Sequence, residues 1–258
     1  MKCSAGVIGL TTALLLARDK DSDVTVLAEF HCGDYDIRFA SPWAGADYLP
    51  VSLPDTPLNK YERETWVELE RLAKTTPGAG CHFLKSIKYR REKESATSAA
   101  SWQAASMTDR PWYMDMMPDA RNLNKDELPP GMKSGISFTS ICINTAIYLP
   151  WLASQCLEQG VKFRRGVVSH VVEAANLHLS GSRAALVVNA TGLGARALGG
   201  VEDLEVIPAR GQITIVRNEP GVIVGVGPSL EGPADESCYI MQRAAGQRLW
   251  RMHYKDSS

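Results

Sequence analysis

Six residues near the N-terminus, Ser4-Ala5-Gly6-Val7-Ile8-Gly9, have the composition of a turn whose backbone approaches a phosphate. In a dinucleotide-binding turn, one glycine makes the tight bend. A second lets the backbone near the pyrophosphate, and a third lets the next helix pack closely. Gly6 and Gly9 take the second and third places, while Ser4 stands at the first. The anion would rest on the helix N-terminus, drawn by free N–H groups and the helix dipole. An acid about 20 residues further on binds ribose hydroxyls in such units. Glu29, closing the apolar run Val24 to Ala28, has that spacing. Taken alone, the same turn also fits an ordinary opening of a core helix.

Other reactive side chains show no pattern of their own. The histidines (His31, His82, His170, His178 and His253) form no paired spacing and no dyad with an acid. The cysteines, Cys3, Cys32, Cys81, Cys142, Cys156 and Cys238, are scattered without a C-x-x-C pair. No zinc or other metal site is expected from such spacing. Reduced, mostly buried thiols of an intracellular protein are expected instead.

The elements that must position this turn follow from apolar patterning. Residues 4–18 read as the turn and a small-residue apolar helix, and 24–28 as a buried strand. Residues 30–58 are loop-like. Residues 59–74 form an amphipathic helix with Trp66, Leu69 and Leu72 on one side. A strand is expected at 82–89, with the charge run Lys85 to Lys93 as a solvated edge or turn. Ser95 to Ser106 reads as a surface loop. Further strands are expected at 136–139, 161–163, 167–172, 184–189, 212–217, 222–226 and 239–241. A helix covers 147–159, with Gly160 as its stop signal.

Strands of the buried, parallel type thus mix with antiparallel-looking ones, which makes the chain α/β with an added mixed sheet. The 258 residues suffice for one large domain or two intertwined small ones. Lys plus Arg number 28 against 29 Asp plus Glu, so bulk charge favours neither nucleic acid nor an anionic membrane. No apolar run approaches the roughly 18 residues that span a bilayer. No secretory signal opens the chain, and Lys255-Asp256-Ser257-Ser258 is not a Ser-Lys-Leu peroxisomal ending.

Four ordered stretches carry a resemblance. Gly6 to Ala13 is similar to the FAD turn and helix of the D-amino-acid oxidase/D-aspartate oxidase family, in its fungal form. Phe39-Ala40-Ser41-Pro42-Trp43-Ala44-Gly45-Ala46 resembles the family's second flavin loop. Val187 to Ala195 resembles its third, with Arg210-Gly211-Gln212 following. Ser237-Cys238-Tyr239-Ile240-Met241 resembles the strand that carries an active-site tyrosine.

The resemblance implies an FAD-binding Rossmann-like domain, residues 1–50 and 145–200, interleaved with a mixed-sheet substrate domain, residues 51–144 and 201–258. It implies that Ala5, Gly6, Val7, Ile8, Gly9 and Glu29 hold the ADP half of FAD. Ser41, Ala44, Gly45 and Ala46 would bring backbone near the ribityl chain and isoalloxazine, where side chains would clash. Val168 would meet the adenine side, and Thr191 and Gly192 would lie near the pyrophosphate. Tyr239 would donate to the substrate carboxylate, with a core strand tyrosine of satisfied hydroxyl as the alternative. Tyr254 is a second pocket tyrosine by position only. Asp47, next to the second loop, is a candidate to face the pocket. The implied reaction dehydrogenates a D-amino acid: hydride passes from Cα to flavin N5, oxygen yields peroxide, and the imino acid hydrolyses. No strongly shifted base is needed, and the cofactor carries the chemistry.

The family's first strand would precede Ser4, and its carboxylate-gripping arginine would follow residue 254. Arg243, Arg248 and Arg251 do not match that arginine and read as surface residues. As written, the chain is therefore expected to hold FAD weakly or not at all and to be a poor oxidase. Two alternatives stand beside the oxidase: an inactive, truncated member or incomplete gene model, and a related amine or sarcosine-type oxidase. Implied partners are a small D-amino acid or related amine and molecular oxygen, with a homodimer as the implied assembly. The implied location is cytoplasmic or peroxisomal.

Overall fold

The computed structural model describes residues 5–92, 108–208, 210–214, 220–227, 236–243 and 246–253. Ser4, the segment Ser95 to Ser106, the end of the 212–217 run and Tyr254 lie outside the described residues. The chain divides into two compact units. The first comprises Met1–Ala44 and Thr145–Pro208; the second comprises Gly45–Asn144 and Ala209–Ser258.

The first unit is built on two helices, α1 (Val7–Leu16) and a later one spanning Thr145–Glu158. Leu10, Ala13 and Ala17 pack with Leu149, Leu152 and Cys156 of the later helix. Alanines on the facing side let the axes approach, and the Cys156 thiol donates to Leu10 O at 3.4 Å. Strand β1 (Thr25–Ala28) runs parallel to a strand at Lys162–Arg165, with Thr25 opposite Lys162 and Ala28 opposite Arg165. Gly160, between helix and strand, has φ of +85°, the left-handed turn that a glycine adopts freely.

Two strands expected in this unit are not there. Residues 167–172 hold one bridge, His170 to Gly199, and then enter a 3-10 helix at Val171–Leu177. His170 is the N-cap and accepts from the Val172 N–H at 3.3 Å, while Glu173 in the first turn accepts from the Ser169 N–H at 3.0 Å and from its hydroxyl at 2.5 Å. Residues 184–189 pair with no strand among the described residues, and Leu186 is 70 % exposed. An apolar run is a strand only where a neighbour takes its backbone groups.

The second unit holds a seven-stranded mixed sheet. Its members are β2 (Cys81–Arg91), β3 (Arg121–Asn122), β4 (Met132–Ile143), β6 (Arg210–Thr214), β7 (Ile223–Val226), β8 (Glu236–Arg243) and β9 (Gly246–His253), where β5 is the first unit's Lys162–Arg165. The order is β3-β4-β2-β7-β8-β9-β6, with only β2 and β7 parallel. The long β2–β4 ladder pairs Cys81 with Ile143 and Lys88 with Ile136. Helix α2 (Pro57–Thr75) buries Trp66, Leu69 and Leu72, as its period demands. Thr56 caps it by accepting from the Asn59 N–H at 3.2 Å, and Pro57 sits where no donor is needed. Around Phe138, the Tyr113 ring packs at 5.3 Å, and Tyr48 meets Trp66 at 5.2 Å.

The charge run from Lys85 is corrected here. Its strand is interior, flanked by β4 and β7, and Lys88 is only 8 % exposed. Charge density predicts a solvated edge, but alternation along a strand sends every second residue to the opposite face.

Truncating Phe138 to Ala is expected to destabilise the protein by about 3–5 kcal/mol, read by urea denaturation. Thr56→Ala is expected to cost roughly 1 kcal/mol in the same assay.

Candidate active site

In the first unit the turn forms the N-terminus of α1. Gly6 is its N-cap and has no side chain to cap it, and no acid stands in the first turn. The Val7 N–H donates to Ser41 Oγ at 3.1 Å, which ties the turn to the short 3-10 segment Ser41–Trp43. A methyl at position 6 would lie 2.7 Å from Ser41 Oγ, so this contact requires glycine. At Gly9 the added methyl would meet Ala190 at 3.5 Å, an ordinary contact. Thr145 Oγ1 donates to Pro42 O at 3.0 Å and anchors the other end of the 3-10 segment.

A cavity of about 470 Å³ opens beside α1 and β1. Ala5, Gly9, Val168 and Thr191 line it, together with the unpaired 184–190 segment. Gly6, Val7, Ile8, Glu29 and Gly192 are not on its wall. Gly192 has φ of +56° and is exposed. Asn189 Oδ1 accepts from the Thr191 N–H at 3.2 Å and from its hydroxyl at 2.7 Å, which shapes that turn.

Glu29 has a neighbour that sequence reasoning did not supply. Arg38 reaches Glu29 Oε1 at 3.4 Å while it grips Asp36 at 2.8 and 2.9 Å and lies over the Phe30 ring at 4.7 Å. The pair is partly solvated. The Asp36-x-Arg38 spacing was the available signal.

In the second unit the loop after Ala44 is seated on the end of β4. Ile143 donates to Ala46 O at 2.8 Å, Ala46 donates back at 3.3 Å, and Tyr48 donates to Ile141 O at 2.9 Å. Gly45 is buried beneath two side chains of β8. A methyl there would lie 3.0 Å from Met241 Cε and 3.4 Å from the Tyr239 hydroxyl. Tyr239 and Met241 share a face of the sheet with Ile223, Leu84 and Cys142.

One charge of this face was read differently from sequence. Arg243 is 2 % exposed rather than on the surface, and its Nε donates to Gly45 O. Position i+4 from Tyr239 on one strand face was the missed signal. Arg248 and Arg251 lie on β9. Asp47, bridged to Cys142 in the backbone, sits 3.6 Å from Lys88 Nζ, with both side chains largely buried. Burial raises the Tyr239 phenol well above its ordinary pKa; Asp47 adds to this and Arg243 opposes it. Tyr239 therefore remains a neutral donor across the physiological range. Burial, with Asp47 beside it, pushes the Cys142 thiol up to about 12, which leaves it inert. Cys32, Cys81, Cys142, Cys156 and Cys238 are all free.

Among the described residues no cluster of His, Cys, Asp and Glu is arranged to hold a metal ion. No helix among them is long and apolar enough to cross a membrane. The residues near the turn fit a dinucleotide: a helix N-terminus whose N-cap glycine has no side chain to cap it, close approach of that glycine to Ser41, and an adjacent cavity.

Known proteins place this arrangement. A D-amino-acid oxidase of Fusarium vanettenii is 45% identical over 243 residues, covering 94% of this chain and 66% of the relative. A D-amino-acid oxidase of Schizosaccharomyces pombe is 31% identical over 214 residues, covering 83% of this chain and 58% of the relative. The chain thus spans less than two thirds of the length of these relatives. Glycine oxidase from Geobacillus kaustophilus has the same fold, with a TM-score of 0.67 over 96% of this chain and 68% of that one, at 19% identity. The family described as FAD dependent oxidoreductase matches residues 5–256. The chain belongs to that FAD-dependent oxidoreductase family, DAO.

Proposed function

We propose that the chain contributes the cofactor cradle and the substrate-facing sheet of a D-amino-acid oxidase. The observation that carries this reading is the neutral Tyr239 phenol on the sheet face, packed against Gly45, whose loop sits over it. The 45% identity to a D-amino-acid oxidase supports the substrate class.

In this reading Ala5, Gly6, Val7, Ile8 and Gly9 take the pyrophosphate of FAD on the α1 N-terminus, and Glu29 takes a ribose hydroxyl. Val168, Thr191 and Gly192 border the nucleotide, while Ser41, Ala44, Gly45 and Ala46 approach its flavin half with backbone alone. Bound FAD supplies a hydride acceptor that molecular oxygen restores, releasing peroxide. The protein's part is orientation. Tyr239 donates its hydroxyl hydrogen bond to the carboxylate of the D-amino acid. The apolar neighbours Met241, Ile223 and Leu84 keep water from that bond, which strengthens it. Tyr254, outside the described residues, stands as a proposed second contact from its place in the sequence.

The test is the purified chain, loaded with FAD, assayed for flavin absorbance and for peroxide with D-alanine. Bound flavin and D-specific peroxide are the expected result; a chain that takes up no flavin and oxidises no D-amino acid overturns the reading. Tyr239→Phe is expected to lower kcat/KM by roughly 10- to 100-fold, the worth of one hydrogen bond to a charged group, at unchanged flavin content. Ser41→Ala, which removes the acceptor for Val7 N–H, is expected to weaken FAD binding several-fold by fluorescence titration, with little effect on the KM for D-alanine.

A further inference from the structure

We infer that Lys88 selects the substrate side chain, and that the side chain it selects carries a hydrogen-bond-accepting oxygen two or three carbons from Cα. The inference rests on the D-amino-acid reading of the Tyr239 site.

Lys88 is a buried cation on an interior strand, 8 % exposed. A buried ammonium is costly unless acceptors surround it. Among the described residues its ion partner is Asp47 Oδ2, at 3.6 Å. That distance is inside ion-pair range but beyond a hydrogen bond. Asp47 Oδ2 is itself buried without a hydrogen-bond partner. The pair neutralises charge and leaves donor capacity unused on the lysine.

The register shows where that capacity points. Lys88 lies opposite Gly225, and Gly225 lies opposite Tyr239, so the three form one row across β2, β7 and β8. Residues directly opposite one another in a row share a face. The middle member has no side chain, and the lysine fills its place. A methyl on Gly225 would be 2.9 Å from Lys88 Cδ and 2.9 Å from its Nζ. The lysine thus lies down along the sheet towards the tyrosine. Two strand spacings, about 10 Å, separate the ends of the row. The lysine spans roughly one of them, which leaves about 5 Å between ammonium and tyrosine strand. A small amino acid held by its α-carboxylate on Tyr239 places a δ- or ε-oxygen across a gap of that size.

The charges nearby set the chemistry. Lys88 and Arg243 are buried cations on this face, against the single buried carboxylate of Asp47. An incoming acceptor oxygen completes the lysine's hydrogen bonding, whereas an incoming ammonium meets like charge. On the far side of Lys88 a cavity of about 340 Å³ is lined by Lys88, Arg90, Asn122, Ser134 and Gly135. Asp109, which also borders it, is 91% exposed and pairs with Arg90 at 3.3 Å. The acceptor oxygen can belong to a carboxylate or to a carboxamide, and the substrate panel separates the two.

The experiment compares D-glutamate, D-glutamine, D-aspartate and D-asparagine with the apolar isosteres D-norleucine and D-norvaline, and with D-lysine. D-alanine is the reference. The flavin-loaded protein is assayed for kcat and KM, and anaerobic calorimetry gives Kd for D-glutamine and D-norleucine. At least one acid–amide pair is expected to exceed its apolar isostere by about tenfold or more in kcat/KM, the gain residing in KM. D-Lysine is expected to rank last. Lys88→Met should bring the ratio to about one, and Lys88→Arg should keep most of it. The double variant Lys88→Met/Asp47→Asn removes both charges, so a fold compromised by an unpaired Asp47 is recognised and bypassed. A structural defect lowers all substrates alike; loss of selectivity changes the ratio. Oxidation of D-alanine with no preference, or a preference that survives in both Lys88→Met proteins, overturns the inference alone. Calorimetric preference for D-glutamine that Lys88→Met abolishes, without oxidation of any D-amino acid, supports the inference and sinks the oxidase reading.

Discussion

A seat for one loop governs the sheet face of the second unit. Ala46 exchanges both backbone hydrogen bonds with Ile143, and the guanidinium of Arg243 holds the carbonyl of Gly45 next to it. These bonds fix the loop's height above β8. Gly45 then clears Met241 and Tyr239 only because it has no side chain. The Gly45 carbonyl takes one of the buried guanidinium's N–H donors. Without that anchor, the loop has no reason to stay over the tyrosine, and Asp47 loses its place beside Lys88.

The first unit uses a different device for a related end. Its turn is held by a hydroxyl, Ser41, that accepts from Val7 N–H, so one loop stabilises the helix start without capping all of it. Helix packing through Leu10, Ala13 and Cys156 fixes α1, so the donors that remain are held in place before any ligand arrives. The cradle is therefore set by packing rather than by the ligand.

Much of this was legible in the sequence. The turn, the amphipathic α2, the stop at Gly160 and the tyrosine strand each carry local signals: glycine placement, period and capping. The mix of buried and alternating strand runs already implied the mixed sheet. What the sequence hid depends on partners far along the chain. The runs at 167–172 and 184–189 look like strands by composition, yet a helix capped by His170 claims the end of one and no strand among the described residues pairs the other. Lys88 and Arg243 look like surface charges because nothing local reports that β2 lies between two strands, or that a loop 198 residues away supplies Arg243 with its acceptor. Arg38 was missed for the same reason, since its contact with Glu29 depends on the loop's fold.

Gly225 carries a consequence of a different kind. In most strands a glycine is a weakness, an entropic loss with nothing to pack. Here the vacancy is a channel, and its width is that of a lysine stem lying flat. The position of the charge is therefore written in a residue that bears none. Relatives that place any side chain at this point of the row would have to stand the lysine upright or give it up. Divergence at one uncharged position would then move the electrostatics of the whole face while every ionisable residue stayed the same.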